Sequence, residues 1–263
     1  MAADAISRAL ARPALAAPGV APVPAPAGRR LPGLSAVVPV HDEEASLAAV
    51  AEGLLAVLPS LAERWELIVV DDGSRDATAA IAERLASARA GVRVVRHPDN
   101  RGYGAALRSG LAATRHPFVF WMDGDGQFDG RQLPALVAAL GDADAAVGYR
   151  ARRADRWLRR VNTAAWNLLV RTLFALPVRD VNCAFKLVRR AALGSLVPEA
   201  CGAMVSTELL VRLCHRGGRI VEVPIEHFPR RDGRPSGAAP RVVLRAFVEL
   251  ARLGPRLRRP TAR

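Results

Sequence analysis

The chain has 263 residues, enough for one large domain with appendages, and with 51% hydrophobic and 24% charged residues it can bury a core, which excludes global disorder. Its formal charge of +13 comes almost wholly from arginine, because Lys186 is the sole lysine among 38 basic residues. Arginine suits bidentate contact with phosphate and keeps anionic partners in play. The lone lysine sits in AFK, which excludes a Walker A phosphate loop. Cys183, Cys201 and Cys214 form no CxxC pair, which argues against a structural zinc site or a disulfide framework and for a reducing, cytoplasmic setting.

Residues 1–32 read as a disordered tail. Pro13 to Gly28 is an Ala/Pro tract, and Asp4, Arg8 and Arg12 break any signal-peptide pattern. No apolar run reaches the roughly 20 residues that a membrane-crossing helix needs. From Leu34 onward, short apolar runs alternate with helical stretches. Ser35–Val40, Glu66–Asp72, Val92–Arg96, Phe118–Asp123 and Asp144–Tyr149 are the expected strands. Continuous apolar strands separated by helices predict an α/β fold with a mostly parallel central sheet covered on both faces. Sheets of this kind bind ligands beyond the carboxyl ends of their strands.

Those ends are strongly polar: HDEE (His41–Glu44), DDGSRD (Asp71–Asp76) and DGDGQ (Asp123–Gln127). Helix capping accounts for Ser74 and Asp76 but leaves Asp71, Asp123 and Asp125 without a local role. Asp123 and Asp125, two apart at a strand end, suit a hard cation such as Mg²⁺ or Mn²⁺, with Gln127 completing the shell through its amide oxygen. An EF-hand calcium loop fails, since Phe128 stands where glycine is required and Pro134 where glutamate is required. NRGYGAALRSG (Asn100–Gly110) imitates a dinucleotide fingerprint but has Leu107 in place of the third glycine. Gly102 and Gly104 there permit close backbone approach to a ligand, and a plain flexible turn explains the segment equally well. His97, His116, His215 and His227 read as solvated or core side chains; His41 alone stands at a candidate site.

SAVVPVHDEE, ELIVVDDGSRDAT, NRGYGAALRSGL and VFWMDGDGQ, in that order, resemble the nucleotide-sugar half of family 2 glycosyltransferases. GYRARR, RDVNCAFKLVRR, STELLVRL and GGRIVEVPIEHFPRRDG resemble the branch containing dolichyl-phosphate mannosyltransferase and bacterial polyprenyl-phosphate sugar transferases. The resemblance implies a GT-A fold over a catalytic domain of residues 33–237, an inverting transfer and a divalent metal. By matching position it places Pro39, His41 and Glu43 in the nucleoside pocket, with Gly102 on the nucleotide-sugar side and Asp71 accepting from the base. It makes Asp123, Asp125 and Gln127 the metal-binding D-x-D-x-Q, with Asp123, Asp125, Arg150 and Arg230 as catalytic positions. Ala184 replaces a family glycine, and Arg234 stands in for a lysine that usually follows the R-x-x-G element.

An alcohol acceptor would need a general base, for which Glu208 or Asp180 are the candidates. A lipid phosphate needs cations instead. Six arginines between Arg150 and Arg160 meet that need, and the family comparison favours Arg150, Arg159 and Thr163 as the acceptor-phosphate cradle, against a solvated basic helix. Residues 238–263 form a basic amphipathic helix and tail, suited either to an anionic membrane surface or to packing on the domain. The expected activity is transfer of a hexose from a GDP- or UDP-sugar to a polyprenyl phosphate at the cytoplasmic membrane face. The alternatives are the same fold acting on an alcohol and a non-catalytic basic binding protein. Few aromatic residues (5%) leave little platform for stacking nucleic acid, so no nucleic-acid partner is expected.

Overall fold

The computed structural model describes residues 30–152, 157–194, 198–230 and 240–258, without the side chains of residues 152, 157–161, 240 and 241. Seven strands form one sheet: β1 (Leu34–Val40), β2 (Trp65–Asp72), β3 (Val92–His97), β4 (Phe118–Met122), β5 (Ala145–Arg152), β6 (Phe185–Arg189) and β7 (Ile220–Glu226). Their order is β3-β2-β1-β4-β6-β5-β7, parallel throughout except that β6 runs against both β4 and β5. The helices are α1 (Leu47–Leu55), α2 (Leu58–Leu61), α3 (Thr78–Ala88), α4 (Tyr103–Ala113), α5 (Leu133–Leu140), α6 (Trp157–Phe174), α7 (Arg190–Leu193), α8 (Met204–His215) and α9 (Pro240–Leu257).

Side chains of a strand point alternately to its two faces, so each central strand feeds two cores. Ala36 and Val38 of β1 pack with Leu47 and Leu54 of α1 and Leu133 of α5. Val37, between them, packs on the other side with Leu107 of α4, Leu209 of α8 and Leu253 of α9. A sheet sandwiched in this way has no polar face, which is why its strands read as unbroken apolar runs.

The five expected strands are present. β6 and β7 are additional, and their sequences show why they are harder to read. β6 carries Lys186 at its centre, fully buried, with Nζ donating to the carbonyls of Val181 and Cys183. β7 lies at the sheet edge and is only partly covered. Of the expected tail, residues 1–29 lie outside the described residues. Arg30 and Leu31 are tied to the domain: Arg30 donates to the Pro59 carbonyl at 2.7 Å, and Leu31 pairs with Ala62.

Strand order reverses at β1, which is flanked by β2 on one side and β4 on the other. The β1–β2 ladder runs on to Val40 and Asp71, whereas the β1–β4 ladder stops at Val37 and Trp121. The strands therefore part at the carboxyl edge, where such sheets bind ligands. Pro39, which has no N–H to give, falls just beyond the last β1–β4 pair.

The opposite edge is closed by a buried carboxylate. Glu66 of β2 accepts from Ser35 Oγ (2.7 Å), Arg93 Nη1 (2.7 Å) and the Arg115 amide (2.8 Å). Burial pushes its pKa up, but these hydrogen bonds outweigh burial and hold it below the usual 4.5. A depressed carboxylate contributes stability above its ordinary pKa and loses it as pH falls through the folded value. Glu66→Ala should therefore lower unfolding stability by about 1–3 kcal/mol at neutral pH, with the difference shrinking below pH 4.5, as read by urea melts at both pH values.

Candidate nucleotide-sugar site

Three loops leave the carboxyl ends of β1, β2 and β4 and are sewn together by side chains gripping backbone amides. The Asp42 amide donates to Ser74 Oγ (3.0 Å), and Asp42 Oδ1 accepts from the Arg75 amide (2.8 Å). The Glu43 amide donates to Thr78 Oγ1 (2.7 Å), and Glu44 Oε2 accepts from the Ala77 amide (2.9 Å). Asp42 adopts φ of 54°, a conformation aspartate tolerates better than most residues. Ser74 is thus a cross-loop acceptor and not the helix cap expected. Asp76 does cap, accepting from the Thr78 amide at 2.9 Å. Ser46 Oγ donates to the Gly124 carbonyl at 2.7 Å and joins the first loop to the third.

The third loop is backed by the chain after β7. Phe228 donates its amide to the Gln127 carbonyl (2.9 Å), and its own carbonyl accepts from Gln127 Nε2 (3.3 Å). This leaves only Oε1 of Gln127 as a possible cation ligand. Asp125 Oδ1 accepts from the Gln127 amide (3.0 Å), and Asp125 Oδ2 lies 3.7 Å from Arg230 Nη1. Arg230 also holds Glu43 Oε1 at 2.6 Å. Burial raises the Glu43 pKa, Arg230 opposes the rise and Asp125 adds to it. The structure therefore brings together Glu43, Asp125 and Arg230, three expected residues separated by up to 187 positions.

Buried polar atoms without a hydrogen-bond partner occur at these strand ends and also elsewhere, as at Trp166 Nε1 and Thr207 Oγ1. His41 Nδ1, Asp71 Oδ2, Asp123 Oδ1 and the Tyr103 hydroxyl are buried and unpartnered. Asp71 is fully buried; its Oδ1 accepts from the Ser74 amide (3.0 Å), while Arg96 Nε stands 3.4 Å from Oδ2 outside hydrogen-bond geometry. A buried carboxylate oxygen costs free energy unless something donates to it. Four such atoms at the strand-switch edge are most simply read as the lining of a ligand site.

Asp123 carries the strongest electrostatic tension. Burial, then the neighbouring charge of Asp125, raise its pKa from 3.8 to about 7. Tyr103, at the start of α4, is close enough that burial and then Asp123 push its phenol well up. Among the described residues, no group of three or more His, Cys, Asp or Glu side chains is placed to hold a metal ion. The all-oxygen set of Asp123, Asp125 and Gln127, its excess negative charge and its unpartnered oxygen fit an open divalent-cation site whose remaining ligands come from substrate.

Other expected residues take different positions. Arg150 forms a bidentate pair with Asp180 (Nε–Oδ2 2.7 Å, Nη2–Oδ1 2.9 Å), and both side chains are buried. Glu208 is fully buried and accepts from the Glu199 and Ala200 amides (2.9 and 2.8 Å) and from Arg212 (2.6 Å). Both proposed bases for an alcohol acceptor are therefore engaged. Thr163 lies half-buried on α6, the side chain of Arg159 is outside the described residues, and so is Arg234. The space beside Gly102 and Gly104 is filled by the chain's own backbone: a Cβ on Gly102 would lie 2.8 Å from the Cys201 carbonyl, and one on Gly104 would meet Ala200.

Sequence reasoning did not single out Asp72. Its carboxylate accepts from the Arg101 (3.0 Å) and Gly102 (2.8 Å) amides and meets His97 Nδ1 at 2.6 Å, while His97 Nε2 meets Ser109 Oγ at 2.9 Å. This buried relay fixes the turn before Tyr103. The doubled aspartate of DDGS was the available signal. Lys186 was also missed; its fully buried ammonium stands close enough to Asp180 and Asp123 to feel both charges, although burial lowers its pKa.

A strand-switch cleft lined by carboxylates in this sheet defines a glycosyltransferase of the GT-A type. The chain belongs to glycosyl transferase family 2, whose model matches residues 35–196. It is 37% identical over 205 residues to an uncharacterized glycosyltransferase of Mycobacterium tuberculosis, covering 76% of this chain and 88% of that one. It is 35% identical over 160 residues to the dodecaprenyl-phosphate galacturonate synthase of Rhizobium johnstonii, covering 59% of this chain; the match spans about half (47%) of that relative's length. Among solved structures it resembles glucosyl-3-phosphoglycerate synthase from Mycobacterium tuberculosis in complex with Mn²⁺, UDP and glucosyl-3-phosphoglycerate. There the TM-score is 0.67 at 27% identity, over 88% of this chain and 82% of that one.

The raised pKa of Asp123 has a stability consequence. Because the unfolded carboxyl ionises near 3.8 and the folded one near 7, the folded state loses stability as pH rises across that window, and the penalty is complete above it. Asp123→Asn should therefore raise the melting temperature of the metal-free protein at pH 8 by several degrees. At pH 3.8 or below, scanning calorimetry should find little difference.

Proposed function

We propose that the protein transfers a hexose, with inversion, from a GDP- or UDP-sugar to a polyprenyl phosphate. The observation that carries the donor half is the set of unpartnered buried atoms, His41 Nδ1, Asp71 Oδ2, Asp123 Oδ1 and Tyr103 Oη, around one strand-switch cleft. Asp71 Oδ2 accepts a ring N–H of the base, with Pro39, His41 and Glu43 walling the nucleoside. Asp123, Asp125 and Gln127 hold Mg²⁺ or Mn²⁺, which when bound offsets the charge of the leaving nucleoside diphosphate. Arg230, anchored on Glu43 and near Asp125, adds positive charge on the same side. The Mn²⁺ and UDP of the structural neighbour support this reading.

The acceptor half follows from the engaged carboxylates. A phosphate oxygen is already anionic; it attacks the anomeric carbon as the bond to the diphosphate breaks, and no proton has to be removed. Asp180 and Glu208 are both committed to structural pairs, which suits an acceptor that needs no base. The family comparison assigns the lipid-phosphate cradle to Arg150, Arg159 and Thr163; of these Arg150 is held by Asp180, as Asp180 is by it, so Arg159 and Thr163 are the residues proposed to bind first. The name of the Rhizobium relative supports a polyprenyl-phosphate acceptor. No helix among the described residues is long and apolar enough to cross a membrane. The proposed meeting with the lipid is peripheral, at the cytoplasmic face.

Incubation with labelled UDP- and GDP-sugars, Mn²⁺ and undecaprenyl phosphate should give a labelled lipid product. Undecaprenol in place of its phosphate should give none. Asp125→Ala should lower that transfer by at least about 100-fold, the scale of losing one preorganised charge-stabilising contact. Product on the alcohol, or a fully active Asp125→Ala enzyme, would contradict the proposal.

The base contact is tested separately. Asp71→Asn should weaken binding of the preferred nucleoside diphosphate by about 1–3 kcal/mol in calorimetry, as a charged hydrogen bond is lost. Unchanged affinity would remove Asp71 from the site.

A further inference from the structure

The segment entering α8 is suspended between two carboxylates. Glu208 of α8 takes the amides of Glu199 and Ala200. Glu249 of α9 takes those of Cys201 and Gly202, each at 3.0 Å. The same segment supports the first turn of α4, because the Cys201 carbonyl accepts from the Gly104 amide at 2.8 Å. Arg245, also on α9, reaches the neighbouring turn: a Cβ on Gly102 would lie 3.4 Å from its Nη1. A continuous path of contacts therefore runs from α9 through Cys201 to the Gly102–Gly104 turn, where Tyr103 faces Asp123.

The opposite side of α9 is largely exposed, although Phe247 meets Trp166 of α6 edge-to-face, with ring centroids 5.4 Å apart. Ala246, Leu253 and Leu257 are buried on the domain, whereas Val243, Leu244, Phe247 and Val248 are 41%, 66%, 47% and 58% exposed. At 3.6 residues per turn these four and Ala251 make one outward stripe, flanked by Arg245, Arg252 and Arg256. Four large exposed apolar side chains on one helix face mark an interaction surface. Arg245 and Arg256 are paired with Glu249 (3.5 Å) and Glu199 (3.2 Å), yet the border stays arginine-rich and exposed, and an anionic lipid bilayer suits it, since such a bilayer offers hydrocarbon for the stripe and negative charge for its flank.

We propose that the outward stripe of α9 docks on an anionic bilayer, and that Glu249 is a positioning residue that passes this docking to the Gly102–Gly104 turn. The proposal rests on the reading of a membrane-borne acceptor, for it ties the donor side of the cleft to the surface that carries the lipid. Docking fixes α9, Glu249 then fixes residues 201–202, and the Cys201 carbonyl fixes the start of α4. Glu249 itself touches no substrate.

Hydrogen exchange of the full chain, with and without vesicles of phosphatidylcholine and phosphatidylglycerol, tests this without nucleotide or polyprenyl phosphate. On anionic vesicles the amides of residues 102–106 should slow on the order of fivefold or more. A Phe247→Ser, Val248→Ser double variant should neither sediment with vesicles nor show the slowing. Glu249→Ala, which removes the acceptor of both amides, should bind vesicles yet leave the turn unslowed. Glu249→Gln, which keeps an acceptor oxygen, should bind and slow the turn as the wild type does; slowing that survives Glu249→Ala overturns the role of Glu249. Equal exchange with and without vesicles overturns the proposal, as does vesicle binding that survives the double variant. A dimer in sedimentation that the two serines dissolve assigns the stripe to a second copy and also overturns it. Because neither donor nor acceptor is present, failure of the transferase reading leaves this result interpretable.

Discussion

The structure turns on carboxylates carried into poor solvent by the strands that precede them. β2 and β4 are buried throughout, so Asp71 and Asp123 arrive at the sheet edge with little water to solvate them. Asp71 keeps one unpartnered oxygen, and Asp123 holds its proton to about pH 7. Such groups weaken a fold in isolation and are retained where a ligand relieves them. A cation at Asp123 and Asp125 and a base N–H at Asp71 are the two reliefs proposed above.

Keeping like charges close requires a rigid frame, and backbone amides supply it. The loops after β1 and β2 exchange five hydrogen bonds through Asp42, Glu43, Glu44, Ser74 and Asp76. Asp72 performs the same task for the turn before α4 and enlists His97 and Ser109. The arm after β7 closes the ring through Phe228 and Arg230. Geometry at the cleft is thus set mostly by side chain to backbone contacts between segments far apart in the chain.

That distance decides what the sequence could reveal. The five parallel strands were legible because burial on both faces leaves unbroken apolar runs; Asp71, Asp123 and Asp125 stood out as acidic strand ends, and two of them turn out to hold nearby amides, Asp71 that of Ser74 and Asp125 that of Gln127. β6 escaped because Lys186 interrupts its pattern, a charge acceptable only where the carbonyls of Val181 and Cys183 receive it. Ser74 looked like a cap because its acceptor role is filled by an amide 32 residues away. His97 and Asp72 are 25 residues apart and carry no joint motif. Of the two readings of the C-terminal helix, packing on the domain is seen in the buried face of α9, while its exposed face carries the membrane reading only as a proposal.

The most direct test of the account is a crystal structure with Mn²⁺ and UDP, using the anomalous signal of manganese to locate the ion. The account predicts a single strong peak bound by Asp123 and Asp125 and by the diphosphate, with the uracil ring donating to Asp71. Manganese bound elsewhere, or a nucleotide whose base does not touch Asp71, would contradict it.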